Sequence, residues 1–91
     1  MEGPTRTIEQ IRGELAIAAD SIWEITDTIQ QLTDGADATN QLKNRIQRNT
    51  DHLKLIVAKE DVVASGEDVS TLNAAIAAGD AKLAESIWPA E

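Results

Sequence analysis

From Ile8 to Leu32 apolar residues recur at intervals of three and four: Ile8, Ile11, Leu15, Ala18, Ile22, Ile25, Ile29 and Leu32. These are the a and d positions of a heptad, so the stretch reads as one amphipathic helix with a narrow apolar seam. At 1.5 Å per residue it spans roughly 37 Å, too long to stand alone and too narrow-seamed to be wrapped on several sides. It requires another helix beside it.

The second run supplies that helix: Leu42, Ile46, Asn49, Leu53, Ile56, Glu60 and Val63. Folded antiparallel about Gly35-Ala36, the two seams meet in pairs whose residue numbers add to 71. Leu32 meets Thr39, Ile29 meets Leu42, Ile25 meets Ile46, Ile22 meets Asn49, Ala18 meets Leu53, Leu15 meets Ile56, Ile11 meets Glu60 and Ile8 meets Val63. Each pair joins an a to a d, which predicts an antiparallel helical hairpin. Glu14 and Lys59, both at g, flank that seam within ion-pair reach. Asn49 interrupts it, a polar device that fixes register at a cost in stability, and Glu60 opposite Ile11 marks where the seam opens to solvent.

Local signals place the ends. Thr7 with Gln10 has the form of a capping box, and Gly35 suits the left-handed position after the first helix. Asp37 is the expected N-cap of the second helix. Gly66 is its expected stop, and Asp68 or Ser70 caps the third helix. Val69, Leu72, Ile76, Leu83 and Ile87 then keep one phase across Gly79, which reads as one helix bent there or, as the alternative, two short helices hinged at Gly79, and Pro89 ends the series. The expected helices are therefore about 7–33, 38–64 and 70–87 within one domain, 1–91. With no Phe or Tyr and an Ala/Ile/Leu/Val core, the fold class is all-α. The architecture expected is a coiled-coil-like hairpin with a third, C-terminal helix, a small up-down-up three-helix bundle. Ile17, Leu55 and Val62 sit at c, on the g side of the hairpin, and that groove is the expected seat of the third helix.

Charge follows the same division. The chain carries a net −8, distributed as −5 over residues 1–35, +3 over 36–59 and −6 over 60–91. A basic middle element suits a helix packed beside two acidic neighbours. The bases Lys43, Arg45, Arg48, Lys54 and Lys59 could touch phosphates, but the acidic flanks repel nucleic acid, so no nucleic-acid partner is expected.

Chemistry-bearing patterns are sparse. Cys is absent, which removes disulfides and thiolate metal sites. The single His52 sits at g facing Ser21, without a carboxylate or second imidazole at ligand spacing. Asp20, Glu24 and Asp27, with the doublets Glu60-Asp61 and Glu67-Asp68, read as solvated faces and caps rather than catalytic carboxylates. Asp34-Gly35-Ala36-Asp37 lacks the downstream Glu of a calcium loop. No Gly-rich phosphate loop or nucleophile–base pattern is present. The expectation is a non-enzyme without cofactor, metal or small-molecule substrate. Met1-Glu2-Gly3-Pro4 has no basic region leading into an apolar run, and no stretch approaches the roughly 20 apolar residues of a membrane span. The expected location is the cytoplasm, or an assembly built there.

Trp23 carries the main functional expectation. At b, beside Ala16 and Ala19, it lies away from the expected third helix, and Trp is enriched among interface hot spots. Trp23, Ala16 and Ala19, with Trp88 near the C-terminus, are the candidate partner-binding residues, for self-association or for a protein partner. The alternative is that Trp23 and Trp88 complete the core. The functional reading is a structural or interaction protein, a subunit of a homo-oligomer or of a virion or other multi-subunit apparatus. The second reading is a small acidic inhibitor occupying a basic site on a nucleic-acid-handling protein. In general character, small, acidic, Ala-rich and helical, the chain resembles accessory proteins of phage and mobile elements. The turn Thr33-Asp34-Gly35-Ala36 has no Trp-x-Gly, and the absence of Tyr excludes the export signal of the WXG-type secreted helical proteins.

Overall fold

A computed structural model of the chain describes residues 6–89; Met1-Glu2-Gly3-Pro4 lie outside the described residues. The fold is all-α, with helices α1 (Ile8–Thr33), α2 (Asn40–Ala58), α3 (Glu60–Ser65) and α4 (Ser70–Leu83), and no strand among the described residues. The start of α1 is a capping box: the Gln10 amide donates to the Thr7 hydroxyl at 3.2 Å, and the Thr7 amide donates to the Gln10 side-chain carbonyl at 2.9 Å. Gly35 follows α1 at φ 102°, the left-handed conformation expected there. Thr39, rather than Asp37, caps α2, its hydroxyl accepting from the Leu42 amide at 3.2 Å. A Thr directly before the first helical residue needs no intervening turn to reach that donor.

The hairpin register holds through its middle. Ile11, Ala18 and Ile25 of α1 and Ile46, Leu53 and Ile56 of α2 are buried, with Leu15, Ile22 and Ile29 packed alongside. Lys59 Nζ meets Glu14 at 2.7 Å, as the register requires. Asn49 turns aside from the seam, its amide donating to the Arg45 carbonyl at 2.7 Å. The fully buried polar residue of that turn is instead Thr50.

The helix expected over 38–64 breaks at Lys59, whose φ of −63° and ψ of 134° place it in extended backbone. Continued without interruption, the seam would carry the Glu60 carboxylate into the core opposite Ile11, at the cost of burying an unpaired charge. The break rotates the chain so that Glu60 faces solvent and Val62 points inward, while Val63, the expected seam residue, stays exposed. Arg6 fastens the junction, its guanidinium reaching Asp61 at 2.7 Å and Glu14 at 2.8 Å. Gly66 ends α3 at φ 71°. The Asp68 carboxylate accepts from the Ser70 amide at 2.9 Å as α4 begins.

Helix α4 runs unbroken through Gly79 but ends at Leu83, four residues before the expected Ile87. Past its last turn the Lys82 carbonyl accepts twice, from the Glu85 amide at 3.2 Å and from the Trp88 indole N–H at 3.2 Å. Together α1, α2 and α4 form the small bundle, α4 packing chiefly on α2 and less on α1.

The edge that α4 occupies is not the expected one. Ile17 is 71% exposed and Leu55 67% exposed, so the g-side groove is open. Helix α4 lies along the e edge, where Gly79 abuts Thr50, Val57 joins the core beside Leu72 and Ala75, and Lys54 meets Asp80 at 3.0 Å. At the same edge Arg12 of α1 holds Glu67 of the α3–α4 linker. Val62, expected in the open groove, is carried into the core by the break at Lys59.

Candidate functional site

Three of the four candidate contact residues share one helix. Ala16, Ala19 and Trp23 occupy successive turns of α1, and all three are exposed. Trp23 is 60% exposed, which removes it from the core. Sequence reasoning missed its companion: the Arg45 guanidinium of α2 lies 5.8 Å from the Trp23 ring centroid, a cation–π arrangement. Arg45 is held there by two carboxylates of α1. It pairs with Glu24 and, at 3.1 Å, with Asp27. Its guanidinium pKa is raised chiefly by the Glu24 hydrogen bond and further by that to Asp27, against a lowering by burial. Positions g on α2 and c and f on α1 carried the signal, since in antiparallel helices they lie within reach of a long side chain.

Trp88 is placed differently. It is half-buried after the end of α4, with its indole N–H committed to the backbone. It therefore acts on its own helix end.

Along the open side of the hairpin, Ile17 and Leu55 stand at the same level on adjacent helices. Glu24 and Arg48 come two turns further on, then Gln31 and Gln41. All six are c positions. On α2 an open depression of about 380 Å³ is lined by Gln41, Asn44, Gln47 and Arg48.

Half of the carboxylates among the described residues are paired within the chain. Glu14 meets Lys59 and Arg6, Glu24 and Asp27 meet Arg45, Asp61 meets Arg6, Glu67 meets Arg12, Asp80 meets Lys54 and Glu85 meets Lys82. The Arg6 guanidinium holds the Asp61 carboxyl down at about 2. Glu14 is lowered chiefly by Lys59, with Arg6 assisting against the opposing effect of burial. Among the described residues no three His, Cys, Asp or Glu side chains converge to hold a metal ion, and His52 is exposed. No helix among them is long and apolar enough to cross a membrane. Comparison with protein-family models, with curated proteins and with solved structures finds no match to this chain.

Proposed function

We propose that this chain is a non-enzymatic helical interaction protein. In this reading it is a structural subunit that self-associates or docks on a larger assembly, such as a virion or other multi-subunit apparatus, through the Ala16-Ala19-Trp23 strip of α1. The carrying observation is Trp23 itself, a large aromatic left 60% exposed while its ring is braced by Arg45. A braced Trp loses little side-chain freedom on association, and such anchors typically contribute about 2 kcal/mol or more at an interface. The internal pairing of half of the described carboxylates supports this reading over the acidic inhibitor. Charges already matched inside the chain project a weaker field onto a basic partner.

The test is sedimentation equilibrium of the wild type and Trp23→Ala at low and high salt, alongside thermal unfolding. On this reading Trp23→Ala lowers the mass of an oligomer held by this strip, or abolishes binding to the partner of a monomer, while the isolated subunit keeps its melting temperature. A lowered melting temperature with mass and binding unaltered would refute it.

A further inference from the structure

A second surface, distinct from the Trp23 strip, has the pattern of a two-fold contact. Ile17 and Trp23 are six residues apart on α1, roughly 120° around the helix. Ile17 therefore faces out from the side of the hairpin that α4 leaves open. On that side the c positions of the two antiparallel helices fall level with one another wherever their numbers add to 72. Ile17 is level with Leu55, Glu24 with Arg48, and Gln31 with Gln41. One step nearer the seam, Glu14 is level with Lys59, and those two are already paired at 2.7 Å.

We infer that this face binds a second copy of the same chain, about a two-fold axis parallel to the helices, with α1 of one copy over α2 of the other. Such an operation keeps the level of every residue and exchanges the two helices. Ile17 then meets the other copy's Leu55, Glu24 its Arg48 and Gln31 its Gln41, and each contact occurs twice. Apolar meets apolar, acid meets base and amide meets amide. Arg48 has no ion-pair partner among the described residues, so the new contact takes a base not used inside the chain, and Glu24 shares its carboxylate between Arg45 of its own chain and the other copy's Arg48. The whole elements agree: α1 carries net −4 and α2 net +3, so α1 over α2 attracts along its length. The other face-to-face arrangement, α1 over α1, sets −4 against −4. Among the four helices of the two facing hairpins every neighbouring pair is antiparallel, as in a four-helix bundle.

Two helices side by side, over the levels from Gln10 to Gln31, offer roughly 600 Å² per copy, toward the low end for a specific interface. The dimer is accordingly reversible, with a dissociation constant in the micromolar range, and weakens as salt rises because two of its contacts are ionic.

The experiment is sedimentation equilibrium of the full chain from micromolar to millimolar concentration, with circular dichroism to confirm helicity. Leu55→Asp and Arg48→Glu, both at exposed positions, are expected to keep the fold and to weaken the dimer by about 30-fold or more. Glu24→Arg alone sets a new guanidinium against the other copy's Arg48 and also weakens it. Mixing Glu24→Arg with Arg48→Glu makes both ionic contacts attractive again, so the mixture dimerises where neither variant does alone. Trp23→Ala leaves this dimer intact. A wild type monomeric at millimolar concentration, a dimer indifferent to Leu55→Asp, or a mixture no tighter than its components would each overturn the inference. A dimer dissolved by Trp23→Ala but not by Leu55→Asp would overturn it while upholding the Trp23 contact.

Discussion

The contact between Gly79 and Thr50 makes a prediction in which one substitution changes sign with its background. A Cβ built on Gly79 would lie 2.1 Å from Thr50 Oγ1, well over an ångström short of ordinary contact. Thr50 is fully buried, so its side chain has little room to yield, and its two heavy branches mean that rotation brings Cγ2 toward the same space. Gly79→Ala should gain about 1 kcal/mol of helix propensity. Against that stands overpacking of a rigid site, about 1–3 kcal/mol and more for so short an approach. The net expectation is a loss of about 1–3 kcal/mol, or a drop in melting temperature of several degrees or more for a domain of this size.

Thr50→Ala removes both the hydroxyl and Cγ2. The hydroxyl has no hydrogen-bond partner among the described residues, so deleting it relieves a desolvation penalty of about 1–3 kcal/mol, while the lost methyl costs about 1 kcal/mol. The single variant should be near neutral. On that background the only remaining close approach is Cβ to Cβ at 3.3 Å, a gap that helices open by a few tenths of an ångström. Gly79→Ala should then be neutral or stabilising by up to about 1 kcal/mol. Guanidinium unfolding of the four proteins, followed by circular dichroism, closes the cycle. A coupling of about 1–4 kcal/mol is expected. Additivity within about 0.5 kcal/mol would show that the Thr50 contact is not what requires glycine at 79.

Three further outcomes rest on the same geometry. Asp61 is lowered to about 2 by Arg6; a carboxyl depressed in the folded state adds stability above its unfolded pKa of about 4, and loses it as pH falls toward 2. Asp61→Asn should therefore flatten the fall in melting temperature between about pH 4 and pH 2, and an unchanged profile would refute the coupling. Thr39→Ala removes the acceptor for the Leu42 amide at the start of α2 and should cost about 1 kcal/mol, measurable by urea unfolding. Gly66→Ala forces a side chain into φ 71° at the end of α3 and should cost about 1 kcal/mol, whereas Gly13→Ala, in open space on α1, should gain a similar amount.

The two long helices and their register were legible because their information is periodic and local. Heptad intervals name the seam, Thr7 with Gln10 names the start and Gly35 the stop. The break at Lys59 was not legible, because no Gly or Pro marks it. The only warning was Glu60 at a seam position, and a misplaced charge shows that the seam must open without showing how. The early end of α4 was hidden because Ile87 keeps the helical phase, and the indole–carbonyl bond past its last turn depends on where Trp88 lies in space. The exposure of Trp23 followed from its b position, but Arg45 above it required knowing which carboxylates of α1 would draw a basic side chain across the hairpin.

The edge taken by α4 is the step at which apolar area alone misleads. Ile17 and Leu55 would each contribute about 1.5–3 kcal/mol if buried, more apolar surface than Thr50 and Val57 offer. The e edge offers close approach instead, since Gly79 lets the backbone of α4 sit against Thr50, and Leu72 and Ala75 then reach the core. Chain direction acts the same way. The turn at Lys59 drives Val62 inward, Gly66 reverses the path, and only the short segment 66–69 separates α3 from α4. With Glu67 of that segment held by Arg12 at the e position of α1, α4 has to start on the e side. The side of the bundle is thus decided by two short segments that carry no hydrophobic periodicity. Ile17 and Leu55 are left outside by topology rather than by any lack of core to join. Two large aliphatics stranded at one level, with Glu24 beside Arg48 two turns further on, give this face self-complementary chemistry, which is the physical basis for placing a second copy there rather than on the e side.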